Sequence, residues 1–181
     1  MELVREHINF KRGIDPKDAM NIGLRNQIIE WLEYYYHDIS NATRAGTYII
    51  NDDLTIDIDG FFTTIWKENL PNYIQFNKID GNFLFSEKQK VTSLKGCPKI
   101  VNGEFYCNSN DLKNLIGGPK IVAGNYICSL NPHIKSLEGL AKKIGGMFAC
   151  NNKSGLTEKD IPEGTEISDL IRTNVSHWSD W

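Results

Sequence analysis

The amino-acid sequence predicts an α+β fold, with an N-terminal helical cap followed by a solenoid of about five short rungs that carries a parallel β-sheet. Three observations lead there. The aromatic residues Phe62, Phe83, Phe105, Tyr126 and Phe148 advance by 21, 22, 21 and 22 positions. Ile58, Ile79, Ile100, Ile121 and Ile144 each open a unit, four or five residues before its aromatic. In the last three units a cysteine, Cys107, Cys128 or Cys150, stands two residues after the aromatic. A period of this length marks stacked supersecondary units that bury their apolar faces against one another.

The chain divides into residues 1–47 as a helical cap, 48–156 as the solenoid and 157–181 as a C-terminal cap or tail. In the cap, Asp15 before Pro16 reads as a helix start, with Gly23 as its stop. A second helix follows, whose Leu24, Ile28, Leu32, Tyr35 and Ile39 recur at steps of 4, 4, 3 and 4 and form one apolar stripe to lay on the first rung. Trp31, Tyr34 and Tyr36 fall beside or away from that stripe, either as further packing or as a partner surface. Residues 48–59 alternate around Asn51-Asp52-Asp53, which is hairpin chemistry joining cap to solenoid.

Within a unit the aromatic and the residue two later share a parity, as a short strand burying one face requires. The pattern Phe105-x-Cys107-x-x-Asn110-x-Leu112-x-x-Leu115 follows leucine-rich-repeat logic, and the run from Tyr126 through Cys128 and Asn131 to Leu137 repeats it. Asn110 and Asn131 are expected to turn inward and bond backbone groups of adjacent turns, with Lys88 and Lys153 in that slot elsewhere. After Leu156 the chain turns acidic and polar, with a short helix expected around Ser168–Arg172 and tryptophans at Trp178 and Trp181.

Composition narrows the function classes. The chain has 181 residues, a net charge of −3 and 24% charged residues, which is globular composition. No window holds 18 uncharged apolar residues, and Glu2, Arg5, Glu6, Lys11 and Arg12 interrupt any leader, so a soluble cytoplasmic protein is expected, with no membrane partner. The four cysteines are spaced by 10, 21 and 22 residues with no CxxC pair, which reads as small core residues in successive rungs and not as a zinc or redox site. Asp57, Asp59 and Glu68 mimic part of a calcium loop, but Phe62 stands where its glycine is required. His7, His37, His133 and His177 are scattered, and neither a nucleophile elbow nor a phosphate loop occurs. A noncatalytic chain without cofactor or metal is therefore expected.

Two columns carry the candidate sites. On the outward side of the strands the rungs present Thr63, Leu84, Tyr106, Ile127 and Ala149, a largely apolar row where a solvated face would be polar. With Asn82, Glu104, Asn125 and Met147 on one side and Ser86, Asn108, Ser129 and Asn151 on the other, this is an apolar centre with a polar rim. The expected partner-binding residues are Leu84, Tyr106, Ile127, Met147, Glu104 and Asn125, with Tyr106 as anchor. The same row could equally be covered by the chain's own N-terminal segment or by a second copy. The competing column is basic. Residues 74–156 hold 11 Lys and no Arg against 5 acidic residues, a balance of +6, and Lys78, Lys99, Lys120 and Lys143 are expected to stack as an anion-binding edge. Against a nucleic-acid partner stand the acidic flanks and the absence of arginine and of interleaved aromatics from that edge.

The units Ser93-Leu-Lys-Gly-Cys-Pro-Lys-Ile-Val-Asn-Gly-Glu-Phe-Tyr-Cys107 and Asn114-Leu-Ile-Gly-Gly-Pro-Lys-Ile-Val-Ala-Gly-Asn-Tyr-Ile-Cys128 resemble short leucine-rich-like repeats of tailed-bacteriophage proteins, and so does the opening Phe10–Gly23. The likeness covers residues 10–23 and about 58–156, departing from the pattern in the first rung and after Cys150. It implies a phage accessory protein in the infected bacterial cytoplasm that binds a host or phage protein, with evasion of host defence as one role. It brings no catalytic residues. The alternatives are a nucleic-acid-associated factor using the lysine column and a structural or self-assembling virion protein, a homo-oligomer.

Overall fold

The computed structural model describes residues 16–40, 47–64, 68–85, 90–150, 155–169 and 171–173. One helix, α1 (Pro16–Ser40), precedes a parallel β-solenoid of about five turns. A hairpin joins them, made by β1 (Thr47–Ile50) and β2 (Ile56–Asp59). Each turn then contributes two short strands and not one. The first of each pair is β2, β4 (Phe76–Ile79), β6 (Ile100–Val101), β8 (Ile121–Val122), β10 (Lys143–Ile144) and β12 (Glu166–Ile167). The second is β3 (Phe62–Thr64), β5 (Phe83–Phe85), β7 (Phe105–Tyr106), β9 (Tyr126–Ile127), β11 (Phe148–Ala149) and β13 (Ile171–Arg172). The first sheet runs β1-β2-β4-β6-β8-β10-β12 and the second β3-β5-β7-β9-β11-β13, parallel throughout except for β1.

Two sheets replace the single one expected because the segments that open each unit, Ile-Val at 100–101 and 121–122, are themselves strands. Their β-branched side chains suit a pleated surface. Val101, Val122 and Ile144 point into the core while the residue before each faces out. The Asn-Gly or Ala-Gly that follows is the corner between sheets. At Gly145 a Cβ would run into the carbonyl of Ala123 one turn below, so only glycine lets the turns close at this distance.

The aromatic column forms the spine of the core. Phe62, Phe83, Phe105, Tyr126 and Phe148 are all buried, with neighbouring ring centroids 5.5, 5.7, 4.9 and 5.9 Å apart. Cys107, Cys128 and Cys150 stack behind them, and Leu112, Leu115, Ile134 and Leu137 close the far side. At the third corner Asn131 does what its position predicts. Its Nδ2 donates to the carbonyls of Cys107 and Cys128, both at 2.9 Å, and its Oδ1 accepts from the amide of Leu112 at 3.1 Å. Asn110 repeats this more loosely, accepting from Val91 at 3.3 Å and donating to Asn108 at 2.9 Å. Ser109 and Leu130, just before these asparagines, hold left-handed φ of 58° each. Lys88 and Lys153, expected in the same slot, lie outside the described residues.

The N-terminal helical segment differs from expectation. α1 continues through Gly23, whose surroundings are open, so the glycine costs the helix about 1 kcal/mol without stopping it. Packing on the first turn outweighs that cost. Ile28, Trp31 and Leu32 are buried, and the Trp31 ring lies 6.5 Å from Phe62 and 6.3 Å from Phe76. Trp31 thus belongs to the packed stripe, whereas Tyr34 is exposed. Arg25 fixes the helix to the hairpin by donating from both Nη atoms to the carbonyl of Ile50 at 3.0 and 2.9 Å. Asp15 and the side chains of Tyr35, Tyr36 and Ile39 lie outside the description.

At the other end the stack runs past Leu156. Glu166 and Ile167 pair with Lys143 and Ile144, and Ile171 and Arg172 with Phe148 and Ala149. The helix expected around Ser168–Arg172 is therefore a corner and a strand, because Ile167 and Ile171 repeat the spacing of Ile144 and Phe148. Trp178 and Trp181 lie outside the described residues.

Candidate functional site

Sheet register fixes which side chains share a row. On the outer side of the second sheet Thr63, Leu84, Tyr106, Ile127 and Ala149 are consecutive partners, and Arg172 continues the sequence of positions. The row is the expected one, but its exposure is graded. Thr63, Leu84 and Tyr106 are half-buried, while Ile127 is 8% exposed and Ala149 fully buried. Ile127 is thus not on display. It sits between Tyr106 and Ala149 in register, two residues from buried Ser129, and the surface it was expected to offer is closed. Leu84 and Tyr106 remain as an adjacent apolar pair.

The row's near flank is a hydrogen-bonded ladder. Asn82 Oδ1 accepts from the amide of Glu104 at 2.9 Å, and Asn125 Oδ1 accepts from the amide of Met147 at 2.8 Å. Between them Glu104 Oε1 accepts from Asn125 Nδ2 at 2.7 Å and Glu104 Oε2 from the Tyr106 hydroxyl at 2.6 Å. Each side chain satisfies the turn above it, as asparagine and glutamate can where the backbone leaves the sheet. Glu104, Asn125 and Met147 were expected to form a polar rim for a partner. In the structure both Glu104 oxygens and both polar atoms of Asn125 are engaged within the chain, and Met147 is half-buried. Burial and the hydrogen bond to the Glu104 carboxylate together push the Tyr106 hydroxyl up to about 12. The tyrosine is a neutral, tethered group at any physiological pH.

The basic column needs correcting. Lys78 pairs in register with Ile100, Ile100 with Ile121 and Ile121 with Lys143. Lys99 and Lys120 belong to the neighbouring row, continued by Lys142: the Lys120 amide donates to Lys99 O at 2.8 Å and the Lys142 amide to Lys120 O at 2.9 Å. The expected four-lysine stack is therefore two rows, because Lys78 and Lys143 stand five residues before the aromatics of their turns, Phe83 and Phe148, whereas Lys99 and Lys120 stand six before Phe105 and Tyr126. Lys78 is also engaged, donating to Asp80 at 2.6 Å, and this ion pair with the Asn102 amide lowers the Asp80 carboxyl. Lys142, six residues before Phe148, is the member of this row in its turn, as Lys99 and Lys120 are six before Phe105 and Tyr126.

The cysteines occupy the interior. Cys97, Cys107, Cys128 and Cys150 are buried free thiols. Burial pushes the Cys97, Cys107 and Cys128 thiols well up, which suppresses the thiolate that metal binding or nucleophilic attack would need. The buried Tyr126 hydroxyl lies among them, its pKa also raised by burial. Among the described residues no group of three or more histidine, cysteine or acidic side chains is placed to hold a metal ion. Among them, too, no helix is long and apolar enough to cross a membrane.

No protein-family model, no curated protein and no solved structure matches this chain.

Proposed function

We propose that this chain is a noncatalytic protein-interaction module in which stacked leucine-rich-like turns display the Leu84–Tyr106 pair to a partner. The observation that carries the reading is the tethering of Tyr106. Its ring stands half-exposed beside Leu84 while its hydroxyl is held by Glu104, which is itself held by Asn125. An aromatic anchor that is fixed before contact loses little side-chain entropy on binding, and such residues dominate the energetics of protein interfaces.

The resemblance of the units to phage repeats supports an accessory role in an infected bacterial cell, with a host or phage protein as partner and blunting of a defence system as the benefit. The test is affinity purification from infected cells, with the wild-type chain run beside Tyr106→Glu and Leu84→Ser. A partner recovered by the wild type and lost from both variants, at unchanged melting temperature, supports the reading. A partner set indifferent to both substitutions refutes it.

A further inference from the structure

We propose that the outer face of the first sheet, centred on Ile100 and Ile121 and edged by Lys99, Lys120 and Lys142, binds an acidic amphipathic helix of a partner protein. This face lies on the other sheet from Leu84 and Tyr106, and the inference does not depend on that pair.

Ile121 is 41% exposed and Ile100, its partner in register, is half-buried, which makes a two-residue apolar strip on a face that strand alternation turns to solvent. Beside it Lys99, Lys120 and Lys142 are exposed in one row, and Lys143 closes the strip at one end. Among the described residues none of these four makes an ion pair, although the Asp53 carboxylate is near enough to feel the charge of Lys99, whereas Lys78 at the opposite end pairs with Asp80. Acidic positions bound the face, with Asp57 next to Lys78 and Glu166 next to Lys143 in register. A polyanion of indefinite length would meet repulsion at both ends. A short ligand spanning three turns would not.

Spacing selects the ligand's form. Successive lysines are one strand separation apart, about 4.8 Å. Carboxylates on one side of an α-helix recur once per turn, about every 5.4 Å. Over the two steps from Lys99 to Lys142 the mismatch is about 1 Å, well within the reach of a lysine side chain. Same-side residues of an extended peptide recur about every 6.8 Å, accumulating a mismatch of about 4 Å over the same two steps. A nucleic-acid backbone is disfavoured on other grounds. Among the described residues its strands β4, β6, β8 and β10 place no outward aromatic ring for base stacking and no arginine for bidentate phosphate contact there, while the exposed Ile121 calls for an apolar counterpart.

The experiment is a fluorescence-anisotropy titration of the full chain against a labelled synthetic helix with glutamates one turn apart and leucines beside them. Saturable binding that weakens as salt rises is expected. The double reversal Lys120→Glu with Lys142→Glu lowers affinity at least about tenfold and Ile121→Ser about fivefold, because both the ionic and the apolar contacts are then lost. These side chains are exposed, and circular dichroism checks that each variant keeps the fold. Leu84→Ser leaves this binding unchanged, which separates the face from the other sheet's row. Absence of saturation up to about 1 mM peptide, a limit of about −4 kcal/mol, overturns the proposal. So does affinity unchanged by the double reversal, or displacement of the peptide by a single-stranded oligonucleotide that binds the same lysines more tightly.

Discussion

Removing the Asn131 side chain tests what holds the turns in register. In Asn131→Ala the carbonyls of Cys107 and Cys128 and the amide of Leu112 each lose a partner at a residue with no solvent access. A buried backbone group deprived of its hydrogen bond costs about 1–3 kcal/mol, and three at the low end give about 3 kcal/mol. For a chain of this size that lowers the melting temperature by about 6–12 °C. Asn110→Ala, with longer bonds, is expected to cost less. Asn131→Asp keeps the acceptor for Leu112 but turns a carboxylate toward two carbonyl oxygens. Folding then raises the pKa of the new carboxyl, so the destabilisation is full at neutral pH and shrinks as pH falls through the folded-state value. Thermal melts followed by circular dichroism at pH 7 and pH 5 separate these cases. A loss below about 1 kcal/mol in the alanine variant, or an aspartate variant insensitive to pH, would show that the asparagine ladder does not hold the turns together.

Other outcomes follow from the same geometry. Leu130→Asn relieves a left-handed backbone that asparagine tolerates and is expected to match or exceed wild-type stability by up to about 1 kcal/mol, measured by chemical denaturation. Gly145→Ala drives a methyl against the Ala123 carbonyl and should destabilise by more than about 1 kcal/mol in the same assay, since the obstacle is backbone and cannot swing aside. Tyr106 is neutral below the ordinary phenol range, and its proton is held more tightly folded than unfolded. Its contribution to stability is thus complete below pH 10 and is lost as pH rises through about 12; a near-ultraviolet titration of wild type against Tyr106→Phe should show one late-ionising phenol missing. The buried thiols should resist alkylation at mildly alkaline pH in the folded protein, and all four should react once denaturant is added, as counted by mass spectrometry.

The repeat was legible because burial imposes identity. Each turn presents the same slot to the turn below, so Phe83, Phe105 and Tyr126 must be flat and large and Asn131 must be an amide. Less legible was the first strand of each turn. Two residues such as Ile100-Val101 are too short to alternate visibly, and the glycine after them reads equally well as the start of a strand or as a corner between two. Gly23 misled for a related reason, since local propensity predicts a stop while the energy that carries α1 onward comes from Trp31 and Leu32 packing on Phe62 and Phe76. In the candidate sites, parity placed Leu84 and Tyr106 correctly. Exposure and row membership depend on neighbours across the turns, and a difference of one residue in the distance to the turn's aromatic sets Lys78 and Lys143 in a different row from Lys99 and Lys120.

Because every described corner bonds only to the turn directly before or after it, the molecule's length is set in whole turns. A deletion or duplication of a complete unit, 21 residues between Phe105 and Tyr126, leaves all surviving rows aligned, and since aligned turns are 21 or 22 residues long a single residue can be lost or gained at a corner, whereas its loss from within a strand turns that strand's side chains to the wrong side. A chain of this architecture can lengthen or shorten its sheets in discrete increments, each adding or removing one side chain in every row at once.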